Sequence, residues 1–547
     1  MSETITESEA GSAMGNDARA RAAAAPSAGR VVSSEPEPAP TVVAANVVAA
    51  RVGAMPDTRD LNFYAADHYL RFQVVRRLPA HERAHGEALL DELGAILGAR
   101  VEDLAAEADR QTPTLRTHNR RGEWVDEIVP SHAYRELEAI LYGRFGLAAM
   151  TLRDNVAGLS GRGSLVLDDA LIYLAAQVES GLFCPLSMTR ALARTLVKFA
   201  PPAIVARYLP HLTATDMADL MTGAMFMTEK QGGSDLGLVA TRARPAPDEP
   251  AAPGEPGWWR LDGEKWFCSN AGADLILTLA RPEGAPDGTR GLGLFLVPRV
   301  LPDGRRNPYR IDRLKDKLGM RSFASGEVTF TGTLAHQIGG PGVGWRQMTE
   351  MLNITRLGCA CAAAALARRS ALEAITHARG RVAFGRALAD LPLMRLQLLD
   401  LLQDAEALAA LFFEGSAQLQ AADAGDEAAR SRARVLTPLA KYHASDAARQ
   451  VVAEGMEVRG GNAYIEEWPN ARLLRDVHVQ AIWEGTGNIS ALDVLRAVAR
   501  DDAGGALLGD LRARVLATSD DAILPAARLT DRALGAVADH LGDLLAR

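Results

Sequence analysis

Cysteine is nearly absent from this chain, with only Cys184, Cys268, Cys359 and Cys361 in 547 residues. Four thiols cannot staple a fold of this length, and their scarcity fits a reducing compartment. Cys359 and Cys361 stand one residue apart in an alanine-rich stretch, without CxxC spacing or a nearby histidine, so no metal site is expected there. Long hydrophobic runs are missing too. The most apolar stretch, Cys359 to Ala367, reaches only half of the roughly 18 residues that a membrane span needs, so no membrane association is expected. Nor is there an excess of basic charge. The formal net charge is −8, which gives no overall footprint for nucleic acid and leaves only local patches. No strand leads through GxGxxG into a helix, which argues against a Rossmann nucleotide site.

Residues 1 to 50 contain no aromatic side chain and are rich in Ala, Pro, Ser and Glu. Such a segment buries too little surface to order itself, so a disordered tail is predicted, drawn as 1–58. Glu3, Glu7 and Glu9 argue against both a secretory and a mitochondrial leader, and a cytoplasmic location is expected.

What is present is globular: 48% hydrophobic and 23% charged residues, in a chain long enough for two or three domains. Helical spacing of apolar residues runs from Asn62 to about Ala214, for example in His85 to Leu97 and Ala170 to Val178. Between about Met217 and Gly340 the period shortens, with strand-like runs at Leu275 to Ala280, Gly291 to Val297 and Gly326 to Phe330. Asp262-Gly263, between Trp258 to Leu261 and Glu264 to Phe267, predicts a type I′ hairpin. Ala243 to Pro256, with five prolines, predicts a surface loop. Long helical stretches return at Gln347 to Arg379, Pro392 to Ala421 and Glu427 to Glu454, and short links between them predict an antiparallel bundle. The expected fold class is multidomain α+β: a helical domain at 59–215, an antiparallel β-domain at 216–340, a four-helix bundle at 344–498 and a short helical tail at 499–547.

The stretch most suggestive of chemistry is Ile482-Trp483-Glu484-Gly485-Thr486-Gly487-Asn488. A lone carboxylate beside apolar bulk has its charged form disfavoured, which makes Glu484 a candidate proton acceptor. Gly485 and Gly487 let a flat ligand approach, and Thr486 and Asn488 can bond its polar edge. A plain helix-start turn with Glu484 in its first turn accounts for the same residues about as well. The paired glycines of Thr228 to Asp235 suggest a tight turn facing an anionic or carbonyl ligand, or else an ordinary interdomain loop. Arg381 to Gly385 reads as a helix end with a glycine cap.

Five blocks together are more specific than any one of them. Met227 to Asp235, Gly263 to Asn270, Lys317 to Arg321, Arg381 to Arg386 and the Trp483 to Asn488 block resemble, in order, the signatures of the acyl-CoA dehydrogenase flavoprotein family. The wording Thr228-Glu229-Lys230-Gln231-Gly232-Gly233-Ser234-Asp235, together with Leu301 to Gly304, Arg313 to Lys317 and Leu492 to Arg496, resembles the AidB-like branch of alkylation-response flavoproteins.

That resemblance implies FAD as cofactor and an acyl-CoA thioester as substrate. Met225, Thr228, Gly233 and Ser234 match positions lining the flavin ring. Phe267 and Ser269 match residues packing on it, although many members carry Trp where Phe267 stands. Trp483, Gly485, Thr486 and Asn488 match further cofactor contacts. Arg381, Phe384 and Gly461 correspond to residues that reach a neighbouring subunit's FAD, which implies a homotetramer. Glu457 replaces a common Gln on the adenosine side. The base of most members falls on Glu484. The alternative position, just before the substrate-side Arg356, is Thr355 here. The implied reaction is α-proton abstraction with β-hydride transfer, giving the 2,3-enoyl-CoA. The alternative the branch implies is a DNA-binding alkylation-response flavoprotein with weak dehydrogenase activity. Residues 501–547 weigh against it, with no Lys and eight Asp against five Arg. The electron acceptor and the acyl-chain preference are not legible.

Overall fold

The structure is a computed structural model that describes residues 55–545. Residues 1–54, most of the expected tail, lie outside the described residues. The tail drawn through 58 ends sooner, because Thr58 is buried and donates to Glu373, and the Pro56 carbonyl accepts from Arg459 at 3.2 Å.

The first domain comprises α1 (Phe63–Ala66), α2 (His68–Arg77), α3 (Ala80–Ile96), α4 (Glu102–Arg110), a hairpin of β1 (Thr114–His118) and β2 (Trp124–Val129), α5 (His132–Glu138), α6 (Leu165–Ala176), α7 (Phe183–Phe199) and α8 (Pro202–Leu212). Every residue of α6 is buried, as expected of a helix apolar on all sides. Pro202 opens α8 at a position where a missing N–H costs nothing.

Strands follow: β3 (Gly223–Phe226), β4 (Arg242–Pro245), β5 (Trp258–Ser269), β6 (Leu275–Pro282), β7 (Gly293–Pro298), β8 (Tyr309–Leu314) and β9 (Ser325–Ile338). The order β3-β6-β4-β5-β9-β7, with β7 also pairing β6, closes the sheet on itself, and β8 lies along β9. Phe226, Leu261, Ile276, Phe295, Val328 and Phe330 fill its interior. The sheet is mostly antiparallel, but β6 pairs in parallel with β3 and β4.

The hairpin expected at Asp262-Gly263 does not form. Trp258 to Ser269 is one strand paired along β9, with a register shift between Leu261 and Asp262. A Cβ on Gly263 would lie 2.6 Å from Thr241 Oγ1, so this glycine serves close strand packing beside a bulge.

The last domain holds α9 (Gly344–Gly380), a two-residue-strand hairpin of β10 (Val382–Ala383) and β11 (Arg386–Ala387), α10 (Pro392–Asp423), α11 (Glu427–Arg459), α12 (Pro469–Gln480) and α13 (Gly487–Asp501), then α14 (Ala503–Leu516) and α15 (Leu524–Leu545). Between Ile354 and Ala374, α9 is buried almost throughout, because α6, α7, α10, α11 and α12 surround it. Its run of Ala and Cys is the packing answer to that crowding. Arg381 to Gly385 is a turn and not a capped helix end, with both Phe384 (φ +53°) and Gly385 (φ +78°) in the left-handed region. Largely buried ion pairs lock this domain to the first: Arg369 with Glu102 at 2.7 Å and Arg475 with Asp109 at 2.7 Å.

Candidate active site

Glu484 occupies the turn between α12 and α13, outside the helix, with φ +56°. A glutamate in the left-handed region is uncommon and costs about 1–3 kcal/mol, so something must hold it there. Three side chains from two bundle helices do. Arg356 of α9 donates from Nε to the Glu484 carbonyl at 3.0 Å and from Nη1 to Asp493 at 2.6 Å. Lys441 of α11, fully buried, donates to the Gly485 carbonyl. Thr355 of α9 donates from Oγ1 to Glu484 Oε2 at 2.8 Å. Asp493 of α13 also accepts from Arg434 at 2.8 Å, so one carboxylate ties α13 to both α9 and α11.

The cations are thus engaged by backbone carbonyls and by Asp493, while the Glu484 carboxylate receives only a hydroxyl. Its proton affinity follows. Burial pushes the Glu484 carboxyl up, against the Thr355 hydroxyl and the charges of Arg356 and Lys441. A carboxylate so placed is a usable proton acceptor. Among the described residues no acceptor takes the Glu484 amide N–H, which leaves that donor beside its own carboxylate. Arg356, expected on the substrate side, has Nε and Nη1 committed to protein acceptors.

The walls are close by. A Cβ on Gly358 of α9 would stand 2.8 Å from Ser187 Oγ and 3.2 Å from the Phe183 ring, both on α7. The adjacent Cys184, also on α7, lies beside Ser269 at the end of β5, and burial pushes its thiol up to about 12. Burial likewise pushes Cys359 up, and Glu484 adds to it. First domain, sheet and bundle therefore meet at one place, with Ser269, Cys184, Thr355, Cys359 and Glu484 around it.

The residues expected on the flavin side lie on or beside the sheet, of which Ser269 reaches this place through Cys184. Met225 is buried on β3, and Thr228 follows that strand, its carbonyl accepting from the Trp266 amide at 2.9 Å. Gly233 packs on Thr228 and Ser234 is exposed on the same loop. Phe267 is 57% exposed on β5, with the Lys315 ammonium 4.8 Å from its ring. On the bundle side, Trp483 donates to Gln480 at 3.0 Å, Gly485 takes φ +97°, Thr486 stands just before α13 without a side-chain capping bond, and Asn488 is exposed. An exposed aromatic face, hydroxyls on Thr228, Ser234 and Ser269, and glycines at 232 and 233 suit a flat heteroaromatic ring carrying polar edges. The residues fit a flavin. Arg381, Phe384 and Gly461 are elsewhere, at the far ends of α9 and α11, and a Cβ on Gly461 would meet nothing within 4 Å.

Sequence reasoning missed the partners. Thr355 stood out only as a position without a carboxylate, Asp493 only as part of the Leu492 to Arg496 block, and Lys441 not at all. Glu229 and Lys265 stood within resemblance blocks, but their pairing was overlooked. Lys265 is fully buried and bonds Glu229 at 2.7 Å, while Glu229 accepts from the Ala240 amide at 2.7 Å, which fixes the root of the 228–235 loop. The one signal was a lysine on the inward face of an alternating strand.

Comparison with known proteins agrees with this architecture. A family profile described as acyl-CoA dehydrogenase, C-terminal domain, matches residues 342–499. The middle domain of that family matches 224–333, and the N-terminal domain of adaptive response protein AidB matches 54–218. Over 346 residues the chain is 41% identical to the putative acyl-CoA dehydrogenase AidB of Escherichia coli, covering 61% of this chain and 60% of that protein. Acyl-CoA dehydrogenase family member 11 of Caenorhabditis elegans is 32% identical over 80% of this chain and 70% of its own length. The solved structure of Caenorhabditis elegans ACDH-11 in complex with C11-CoA superposes with a TM-score of 0.81 at 29% identity, covering 90% of this chain and 83% of that one. A carboxylate clamped where sheet and bundle meet, under three domains matched in order, places this chain in the acyl-CoA dehydrogenase family.

Proposed function

We propose that the protein oxidises an acyl-CoA thioester to the 2,3-enoyl-CoA, with Glu484 as the base that removes the α-proton. The observation that carries this is the Glu484 turn, whose two carbonyls are held by Arg356 and Lys441 while its carboxylate is left to a single hydroxyl. Members of the family are FAD-dependent flavoproteins, and here Met225, Thr228, Gly233, Ser234, Phe267, Ser269, Trp483, Gly485, Thr486 and Asn488 would hold the flavin portion. When bound, FAD supplies the acceptor for the two electrons that leave as hydride from the β-carbon.

The chain's own residues do the rest. The Glu484 amide, which has no backbone acceptor among the described residues, would donate to the thioester carbonyl, and each such donor aimed at developing negative charge is typically worth about 3 kcal/mol. That donation acidifies the α-carbon. Glu484 then takes the α-proton onto its carboxylate, and the C–H electrons become the new double bond. Buried Cys184 and Cys359, with half-buried Trp483, set apolar bulk beside the carboxylate and would keep it basic.

The DNA-binding alternative finds little support at the C-terminal end. Arg434, Arg512 and Arg514 are each paired with carboxylates, Arg512 with Asp531 at 2.7 Å and Arg514 with Glu414 at 3.1 Å. Cations already neutralised have few counterions to release on meeting phosphates. Among the described residues no helix is long and apolar enough to cross a membrane.

The test is Glu484→Gln under anaerobic conditions. The variant should retain FAD yet lose bleaching of the visible flavin band by a panel of acyl-CoAs. Bleaching at the parent rate would remove Glu484 from the role of base. Salt-sensitive retention on duplex DNA, with no bleaching by any acyl-CoA in the parent, would favour the alternative.

A further inference from the structure

We propose that Thr355 is the positioning residue that holds Glu484 in both of its protonation states, by turning one hydroxyl hydrogen between the carboxylate and the backbone of α9. This rests on the assignment of Glu484 as the base. Thr355 Oγ1 lies 2.8 Å from Glu484 Oε2, 3.2 Å from the Leu352 carbonyl and 3.3 Å from the Met351 carbonyl. A hydroxyl has one hydrogen to give and two lone pairs to accept with, so it cannot serve all three acceptors at once.

With Glu484 ionised, the hydrogen goes to Oε2. That contact is the shortest of the three and is charge-assisted, which makes it roughly twice as strong as a neutral bond. Once Glu484 has taken a proton, its own O–H donates to Thr355 Oγ1. The hydroxyl hydrogen then rotates onto the Leu352 or Met351 carbonyl, and no heavy atom has to move. Neither state leaves Thr355 Oγ1 or Glu484 Oε2 without a partner, which matters at a part-buried contact because an orphaned buried group costs about 1–3 kcal/mol. Branching at Cβ restricts the side chain's rotation within the helix, so the hydroxyl stays on this face.

Among the described residues, no other group facing Glu484 can do this. Arg356 on α9 is committed to the Glu484 carbonyl and Asp493, and Lys441 on α11 to the Gly485 carbonyl. Cys359 on α9 and Cys184 on α7 are thiols held neutral by burial.

The test is a carboxyl titration. In the FAD-loaded protein without acyl-CoA, the infrared band that disappears in Glu484→Gln is followed against pH in Thr355→Val and Thr355→Ser. The Val variant keeps shape and removes the hydroxyl, and its midpoint should rise by about one pH unit. The Ser variant restores the hydroxyl and should stay within a few tenths of the parent. The pH profile of flavin reduction should move upward in the same order. Should Val prevent folding, Thr355→Ala carries the same expectation. An unmoved midpoint in Val, or an equal shift in Val and Ser, overturns the proposal. The titration uses no substrate, so a parent protein inert toward every acyl-CoA would sink the dehydrogenase assignment while the hydroxyl–carboxylate coupling is still read independently.

Discussion

Replacing Lys265 by methionine tests whether the buried Glu229–Lys265 pair anchors the loop that lines the flavin side. The two side chains are 0% and 3% exposed and meet at 2.7 Å, and the ammonium also donates to the Leu279 carbonyl at 3.0 Å. Burial pushes Lys265 down, opposed by Glu229. At Glu229 burial pushes up, but the Lys265 charge and bonds from Thr241 and Ala240 hold the carboxyl below its ordinary range. Methionine keeps the length of the stem and removes the charge. Deleting one partner of a buried pair strands the other, at a cost of about 3–5 kcal/mol. The Ala240 and Thr241 donors remain, so the lower end, about 3 kcal/mol, is expected. Urea unfolding followed by fluorescence reads it directly, since Trp258, Trp259 and Trp266 all lie on β5. The pH dependence has a definite sign. In the parent the folded pKa of Glu229 lies below the unfolded value of about 4.3, so its contribution is present above that pH and is lost as pH falls through the folded pKa. In the variant the folded pKa rises above the unfolded one, so the deficit is full at high pH and shrinks as acid neutralises the carboxylate. Adding Glu229→Gln should restore most of the loss. A single variant within about 1 kcal/mol of the parent at pH 8, or a deficit indifferent to pH, refutes the reasoning.

Burial pushes Asp476 up to about 7 against the hydrogen bond from the Met320 amide. The folded pKa therefore exceeds the unfolded one, and stability should fall as pH rises from about 4 to 7. Asp476→Asn keeps the acceptor for Met320 and should flatten that fall, gaining on the order of a few kcal/mol at pH 8, read as a narrower gap between melting temperatures at pH 5 and pH 8. An unchanged gap would mean that the carboxyl is ionised throughout. Phe384→Ala removes a side chain that is 90% exposed, so folding of one chain should change by no more than about 0.5 kcal/mol. Retention of FAD and the assembled mass by light scattering should both drop, and a variant that keeps both would exclude Phe384 from any interface.

How legible each part was depended on whether its cause is local. The bundle helices could be read to within a few residues because their ends are locally written: Pro392 opens α10, Asp426 accepts from the Ala429 amide to cap α11, and Gly460 at φ +69° stops it. Asp262-Gly263 was misread because the same dipeptide suits a turn or a bulge, and only the approach of Thr241 decides between them. The β1–β2 hairpin escaped notice within a helical region. Its first strand buries no residue, and the pair is held instead by Asp126, whose carboxylate accepts from the Ile311 amide at 2.8 Å, 185 residues away. Glu484 was legible by composition. Its clamp was not, since Thr355 and Arg356 lie about 130 residues upstream in sequence and announce nothing of the hydrogen bonds they make.

The length of α9 bears on why one chain would not suffice on the proposed assignment. Thr355 stands near its start and Gly380 at its end, and 25 residues at 1.5 Å each separate them by about 38 Å. Arg381 and Phe384 follow Gly380 directly, on a tight hairpin at the end of α9 remote from Thr355. On that assignment a cofactor seated against Glu484 lies far from those two, so any part they take in holding FAD would come from a second copy. The surface is consistent with that demand. Phe384 and Val382 on the hairpin, and Leu393, Leu396 and Leu399 on the first turns of α10, form an exposed apolar face beside an always-charged guanidinium. A chain that left this face to water would incur a solvation cost without gain. On the proposed assignment, covering it with a second subunit would bury the apolar stripe and would bring Arg381 to a phosphate in the same step, so assembly and cofactor retention should fail together.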